Sequence, residues 1–424
     1  MSSINHSTKD RIRWQQVTNE FMLTMLLPPL ISIPRLVTNA MSNKSNSTNK
    51  YAVYIVCIST IIASFIATKP PSGDQVTYSV AYQNVPNQGF IGSLTNIYGI
   101  QESWEESRNH LSVEFMNGVY NYVGYYVTMG YYPLFLLLYF TTEFSLIGFG
   151  LFHYCKNMKD RRVPIVYGML TLLFFYLFFL MCSQLQKQYL GQAIMMYVLG
   201  CYSDYRKMTK KLWLLAITAV LTHQSMILFA PFLILKSLNK RLTRKALILF
   251  IGIMVVFILI GPKIAGNLTA GLDNASTSVL TYGANRLAQG DKYDDGGSMD
   301  ITQFTVVCLP MLYILWKKLW KERRSVSNHE AFILNIILLL IFAVLAMANI
   351  PLVQYRYFNV MFAFLPFIYP FAFNNVKIRN LFLKTIGITM VIILLLTISS
   401  TGRLYAPVFN LIIEPPFLLI AHIY

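Results

Sequence analysis

Long apolar runs alternate with short basic stretches along most of the chain. Several of these runs approach the ~20 residues that a helix needs to cross a bilayer. The pattern predicts an all-α polytopic membrane protein with about ten transmembrane helices. The predicted spans are 51–67, 131–153, 163–182, 187–203, 246–262, 301–316, 331–349, 358–373 and 385–400.

Basic clusters give these spans an orientation, because an excess of Lys and Arg marks cytoplasmic loops. Segment 212–235 breaks the alternation, since a basic cluster flanks it on each side. Two short helices that meet near His223 would keep both flanks in the cytoplasm. We therefore predict a re-entrant or broken helical hairpin whose turn lines a cavity or is buried in protein. The clusters assigned to the cytoplasm are 156–162, 206–211, 236–245, 317–324 and 377–384.

Two long segments remain for the outer face, 68–130 and 263–300, and both are predicted to be periplasmic loops. The first contains enough aromatic residues to fold back on the membrane surface. Stretch 21–37 is either an additional crossing or an interfacial helix, because its prolines leave both open. The predicted divisions are a cytoplasmic or interfacial segment at 1–50, a transmembrane domain at 51–400 and a C-terminal tail at 401–424.

Composition agrees with this pattern and narrows the classes of function. The chain of 424 residues is 55% hydrophobic and 12% charged, whereas a soluble domain has about 25% charged residues. A net charge of +17 would suggest nucleic acid in a soluble protein, but here basic cytoplasmic loops account for it and no nucleic-acid partner is predicted. The five cysteines show neither a disulfide framework nor metal-ligand spacing, so no metal site is predicted.

Lys187 lies between two apolar runs and is the first candidate for chemistry. An ionisable group at membrane depth costs roughly 2.5–3.5 kcal/mol, and such groups usually face a bundle interior or a wet cavity. Gln184, Lys187 and Gln188 share one face of a continuous helix by their spacing. A cation beside amide donors suits a phosphate or diphosphate. The alternative is a lysine at the outer interface that extends to water.

His223 is the second candidate, followed by Gln224 and Ser225 in an otherwise apolar segment. A histidine titrates near neutral pH and can act as a general base or donate a hydrogen bond to phosphate. The alternative is a helix-packing histidine bonded to a neighbouring carbonyl.

Further candidates lie near the ends of apolar runs. Tyr355 and Arg356 could hold phosphate through the forked donors of arginine or could anchor the chain in the interfacial aromatic belt. Asp74 with Tyr78, and Glu114, offer carboxylates that can bind a sugar hydroxyl or remove its proton. The alternative for both carboxylates is a solvated charge in a loop.

Taken in chain order, these motifs resemble the EpsG/Wzy-type polysaccharide polymerases of bacterial inner membranes. Lysine stands at 187 where that family has arginine, and lysine cannot make the bidentate fork. The matching positions are Gly73-Asp74 with Tyr78, Glu114-Phe115, Lys187-Gln188-Tyr189-Leu190-Gly191, His223-Gln224-Ser225 and Tyr355-Arg356-Tyr357.

The resemblance implies a GT-C-like glycosyltransferase that acts at the periplasmic face and joins glycan units carried on undecaprenyl diphosphate. It also implies no cofactor, since the lipid carrier arrives activated, and it implies membrane lipid and a chain-length regulator protein as partners. A transporter or flippase of lipid-linked oligosaccharide and an O-antigen ligase are the alternatives. The residues implied are His223 or Asp74 as the base, with Lys187, Gln188, Gln184, Ser225, Arg356, Tyr355, Glu114 and Tyr78 for substrate binding.

Overall fold

The computed structural model is helical, and the part of the chain that it describes contains no strand, which confirms the all-α prediction. By contacts, the chain divides into two compact units: Met1–Leu228 with Leu365–Tyr424, and Phe229–Phe364. The described residues are 17–42, 47–69, 74–95, 114–158, 160–173, 182–236, 238–249, 251–253, 309–346, 360–373, 375–400 and 408–421, with the single positions 15, 71, 255, 256, 354 and 358.

The α-helices are joined by short 3₁₀ turns at Gln224–Phe229, Met361–Phe364 and Tyr369–Phe371, and a π-helix covers Trp316–Lys321. The α-helices to which we give numbers are, in chain order, α1 (Pro29–Met41), α2 (Thr48–Ala67), α3 (Asp74–Gln83), α4 (Val85–Thr95), α5 (Met116–Val127), α6 (Tyr132–Tyr154), α7 (Arg162–Leu173), α8 (Gln186–Tyr205), α9 (Lys210–Thr222), α10 (Ala230–Ile234), α11 (Asn328–Ala346), α12 (Leu365–Ile368), α13 (Val376–Ser400), α14 (Val408–Ile413) and α15 (Pro416–Ala421). Helical residues also occur at 17–26, 182–184, 244–249, 251–253 and 309–315.

Within the described residues, three helices are long and apolar enough to cross a membrane: α2, α6 and most of α11. They coincide with the predicted spans 51–67, 131–153 and 331–349. The span predicted at 358–373 is not one straight helix, because its described part consists of short 3₁₀ and α turns. Proline at 366 and at 370 interrupts helical hydrogen bonding there.

The core of the first unit is built on α6, which packs against α2 on one side and α8 on the other. Glycines allow this close approach: a Cβ atom on Gly200 of α8 would lie 2.1 Å from the carbonyl oxygen of Gly150 in α6. A Cβ atom on Gly148 would lie 2.5 Å from Ile55 of α2. Small residues at such contacts let helix backbones pack tightly in membrane proteins. The packing fixes the position of α8, which begins one residue before Lys187.

Segment 68–130, which we call the outer segment after its predicted location, differs from the predicted loop, since its described residues are mostly helical. It forms α3, α4 and α5, and α4 packs on α5 so closely that a Cβ atom on Gly118 would lie 2.0 Å from Ser93 O. Gly89 kinks α4 with φ 63°. These helices are short and only weakly apolar, so their periodicity was too faint to distinguish them from a loop. The predicted loop at 263–300 lies outside the described residues.

The predicted break in segment 212–235 is confirmed. Helix α9 ends at Thr222, and His223 has an extended backbone with φ −154° and ψ 122° before the 3₁₀ turn begins at Gln224. The cytoplasmic location of both flanks stays a prediction. Stretch 21–37 is also interrupted. Its first helical part ends at Leu26, Leu27 and Pro28 are not helical, and α1 begins at Pro29.

In the second unit, an ion pair and hydrogen bonds connect α11 to basic segments of the same unit. Lys318 of the π-helix pairs with Glu330 of α11 at 3.0 Å, and the Asn335 amide donates to the carbonyls of Leu238 and Lys240 at 2.8 and 3.1 Å. These contacts place basic residues at one end of α11.

Candidate functional site

Glu114, Lys187 and His223, which are far apart in sequence, meet in the first unit, and we call them the buried ion cluster. The Lys187 ammonium donates to Glu114 Oε2 at 2.7 Å. His223 Nε2 lies 3.7 Å from the other carboxylate oxygen, Oε1, to which the Gln224 backbone N–H donates at 3.3 Å. Lys187 is 4% exposed and Glu114 is 7% exposed. The Glu114 carboxylate therefore bonds to a buried lysine through one oxygen and faces a partly exposed histidine, with 18% of its side chain exposed, through the other.

The packing of α8 against α6 and α9 positions two members of the cluster. Lys187 lies in the first turn of α8, and the Tyr139 hydroxyl of α6 donates to the Gln186 carbonyl at that end, at 3.1 Å. One turn further, a Cβ atom on Gly191 would lie 3.0 Å from a backbone oxygen of α9 and 3.4 Å from His223 Cβ. Glycine at 191 thus lets His223 approach the helix that carries Lys187.

The outer segment supplies Glu114. This residue lies two positions before α5, and Gly118 of α5 allows that helix to pack closely on α4. The hydroxyls of Tyr120 in α5 and Thr222 in α9 lie 3.1 Å apart. Helix α5 therefore contacts α9 beside His223, and Glu114, two residues before α5, reaches both Lys187 and His223.

The surroundings of His223 determine how its ring can work. The backbone N–H of Ser225 points to Nδ1 at 3.3 Å, and the Ser225 hydroxyl lies 2.7 Å from the same atom. A backbone N–H can only donate, so Nδ1 is an acceptor. The neutral ring then carries its proton on Nε2, which faces Glu114. A basic nitrogen next to a hydroxyl, with a carboxylate behind the ring, is an arrangement that suits general-base chemistry.

The charge state of Glu114 follows from its neighbours. Burial alone would raise the pKa of this carboxyl, but the charges of His223 and Lys187, together with hydrogen bonds from Lys187 and the Gln224 amide, outweigh burial and hold the pKa below its ordinary value. Glu114 is therefore an anion at neutral pH and serves as an acceptor for its neighbours.

Tyr78 and Asp74 both lie in α3 but in different surroundings. The Tyr78 ring is buried, and its centroid is 5.9 Å from the Lys187 ammonium, within the range of a cation–π contact. Asp74 opens the same helix and is exposed. Helix α3 thus brings Tyr78 to the cluster while Asp74 faces outward.

The predicted helix face shared by Gln184, Lys187 and Gln188 is wrong for Gln184. The backbone leaves the helix at Leu185, with φ −114° and ψ 42°, and α8 begins only at Gln186. Gln188 is buried in the same first turn as Lys187. Tyr355 and Arg356 lie outside the described residues, so their phosphate-binding role stays a prediction.

Lys69, Gln75 and Glu143 are among the buried polar residues that the predicted site did not include. Lys69 follows α2 and Gln75 lies in the first turn of α3, and the Lys69 ammonium donates to the Gln75 side-chain oxygen at 3.2 Å. Glu143 lies fully buried in the middle of α6, beside the thiol of Cys182. Glu143 interrupts a predicted membrane span, so the criterion that singled out Lys187 would also have found it. Among the described residues, no group of His, Cys, Asp and Glu is arranged to hold a metal ion.

The family model described as the EpsG family matches residues 53–411. This range covers most of the chain and includes the whole buried ion cluster. The chain belongs to the EpsG family. The resemblance predicted from the ordered motifs is therefore confirmed, and EpsG-family membership together with the apolar helices makes this a membrane protein of polysaccharide biosynthesis. Comparison with curated proteins and with solved structures gave no match.

Proposed function

We propose that this EpsG-family protein is a polysaccharide polymerase, a multi-pass, GT-C-like glycosyltransferase of the bacterial inner membrane. Its substrates are oligosaccharide units on undecaprenyl diphosphate, which it joins at the periplasmic face. The observation that supports this proposal best is the buried ion cluster, because it places a cation and a histidine base on one carboxylate. In glycosyl transfer from a lipid diphosphate, positive charge stabilises the leaving diphosphate and a base takes the proton of the acceptor hydroxyl. The donor is already activated, so no nucleotide is needed.

In the proposed reaction, a hydroxyl oxygen of the acceptor glycan attacks the anomeric carbon of the donor glycan. A new glycosidic C–O bond forms, and the bond between that carbon and the diphosphate oxygen breaks. Undecaprenyl diphosphate leaves with the electron pair. Lys187 stabilises the charge that grows on the leaving diphosphate. Arg356 and Tyr355 are proposed to add donors at the same group.

The acceptor proton goes to His223 Nδ1, directly or through the Ser225 hydroxyl that lies 2.7 Å from that nitrogen. The imidazolium that forms faces Glu114, whose carboxylate favours the positive ring. Glu114 is therefore a positioning residue: it orients Lys187 and His223 and stabilises their charges. Asp74, exposed at the start of α3, is the alternative base.

A glycan ladder from cells that lack the gene tests the proposed reaction. Loss of polymerase should leave single repeat units on the surface, and the wild-type gene should restore the ladder. Complete loss of surface glycan would indicate a ligase. Repeat units trapped on the cytoplasmic face would indicate a flippase, and either result would refute the polymerase.

The same complementation tests the role of His223. His223→Gln keeps hydrogen bonding but cannot accept a proton near neutral pH, and loss of a general base typically lowers a rate by ~10²–10⁴-fold. We expect short or absent ladders from this variant at a wild-type protein level. Ladders of normal length would make His223 a structural donor and would move the base to Asp74.

A further inference from the structure

We propose that Lys69 and Gln75 form a second subsite for the diphosphate of the lipid-linked donor, beside the one at Lys187. The proposal rests on the proposed function, since it names a further part of the same substrate site. Lys69 is 1% exposed although it is a cation, and it lies two residues after the end of α2, which is long and apolar enough to cross a membrane. Burying an ammonium is costly unless an anion or hydrogen-bond acceptors compensate for lost water.

The Gln75 amide completes a set of donors at this position. Its side chain is 0% exposed, and its oxygen accepts a hydrogen bond from Lys69 at 3.2 Å. The Gln75 amide nitrogen is buried and has no acceptor within the described part of the chain. A buried donor without an acceptor costs about 1–3 kcal/mol, so its retention points to a ligand. Ammonium and amide donors together select an anion rich in oxygen, such as phosphate.

Helix α3 connects this subsite to the buried ion cluster. Gln75 and Tyr78 are three residues apart in α3 and both are buried, so they share one face with roughly 5–6 Å between their Cβ atoms. The Tyr78 ring centroid lies 5.9 Å from the Lys187 ammonium. One buried face of α3 thus contacts Lys69 through Gln75 and Lys187 through Tyr78.

The charges of the cluster also require a second cation. A diphosphate joined to lipid and sugar carries a negative charge on each phosphate, and its terminal phosphate gains more as the sugar leaves. The Lys187 charge is already shared with the Glu114 carboxylate at 2.7 Å. Burial lowers the pKa of Lys69 to about 8, which leaves it largely protonated near neutral pH. Lys69 therefore adds a second buried ammonium on the side of α3 that carries Gln75.

Binding to the full-length protein in phosphatidylcholine nanodiscs tests the subsite. The probes are undecaprenyl diphosphate and, as the uncharged control, undecaprenol. We expect Lys69→Met to weaken binding of undecaprenyl diphosphate by about tenfold or more, as for loss of a charged hydrogen bond, and to leave undecaprenol binding unchanged. Lys50→Met is the matched control, because Lys50 is exposed at the opposite end of the same helix.

Gln75→Glu separates an anion site from a merely structural lysine. The new carboxylate would pair with Lys69, so the protein would stay folded, yet the carboxylate would repel the diphosphate. We expect about tenfold weaker binding or more at unchanged stability. A structural lysine would give wild-type affinity in Gln75→Glu, and that result overturns the subsite.

Two further outcomes keep this inference distinct from the proposed function. Wild-type affinity in Lys69→Met, with a normal glycan ladder, would overturn the subsite and leave the polymerase standing. Equal competition by phosphatidylglycerol would show a general headgroup site and would also overturn it. Failure of the wild-type protein to bind undecaprenyl diphosphate or to produce a ladder would refute both.

Discussion

A double-mutant cycle on Glu114 and Lys187 tests whether the buried ion cluster holds the site together. Glu114→Gln leaves the Lys187 ammonium, whose side chain is 5% exposed, without the carboxylate 2.7 Å away. Removing one member of a buried pair costs roughly 3–5 kcal/mol, because the remaining charge is uncompensated. Lys187→Gln should cost less, since Glu114 keeps the Gln224 N–H at 3.3 Å and faces His223 at 3.7 Å.

The double variant Glu114→Gln/Lys187→Gln should be more stable than the sum of the single changes predicts. Two neutral amides can hydrogen-bond where the charges met, so we expect a coupling of roughly 1–3 kcal/mol. The assay is the thermal unfolding midpoint of purified protein in one detergent, followed by tryptophan fluorescence. At about 2 °C per kcal/mol, Glu114→Gln should lower the midpoint by roughly 6–10 °C.

Asp160→Asn is the control, because it breaks a surface ion pair whose N–O distance is similar to that of Lys187 and Glu114. Arg162 and Asp160 are 2.9 Å apart but 31% and 46% exposed, and such pairs contribute about 0–1 kcal/mol. Additive single effects, or a Glu114→Gln midpoint equal to that of wild type, would refute the buried pair.

In the ladder assay, Lys187→Arg should retain substantial elongation while Lys187→Gln loses most of it.

Three other predictions follow from the same contacts. Gly191→Val should abolish elongation, because a side chain at this position would displace α9. Gly387→Val is the control and should retain the wild-type ladder, since nothing lies within 4 Å of its Cβ position. Equal ladders from the two variants would contradict the packing. Cysteines at the exposed positions Lys207 and Lys240 should both react only from the cytoplasm, and opposite accessibility would eliminate the hairpin. Because the pKa of Glu114 is depressed, the stability that this carboxylate contributes is complete above about pH 5 and is lost as pH falls through its folded-state pKa. The difference in unfolding midpoint between wild type and Glu114→Gln should therefore shrink only in acid. A difference that shrinks above pH 6 would contradict this reasoning.

Sequence reasoning located Lys187 and His223 because burying an ionisable side chain has a high cost. Such a residue within an apolar run needs a partner inside the protein, and both residues proved to share one carboxylate. The same reasoning located the break at His223, since basic clusters on both flanks conflict with one straight span. These inferences succeeded because each depends on local composition.

The partner of Lys187 could not be derived from spacing. Glu114 is 73 residues away in sequence, and it lies in a segment whose helices have weak apolar periodicity. The ordered motifs pointed to Glu114, but nothing in them indicated which charge it meets. Gln184 failed for the opposite reason, because periodicity assumed a continuous helix and the backbone breaks at Leu185.

Lys69 and Glu143 were missed although each carries a recognisable signal. Lys69 follows an apolar run, and in that position a lysine usually extends to the interface, so its 1% exposure could not be expected. Glu143 lies inside a predicted span and should have been singled out by its charge alone. Depth within a span is readable from sequence, whereas burial at the end of a span depends on what folds over it.

The buried ion cluster also explains how the outer segment joins the core of the first unit. Glu114 comes with α5, Lys187 with α8 and His223 with the break after α9, so the cluster is complete only when all three elements are packed. An unpaired Glu114 carboxylate, buried as it is here, would be strongly unfavourable, and so would an unpaired Lys187 ammonium. Packing of the outer segment on α8 and α9 is therefore coupled to the neutralisation of these charges. Substitutions at the cluster will change stability and chemistry together, and activities must be compared per folded molecule.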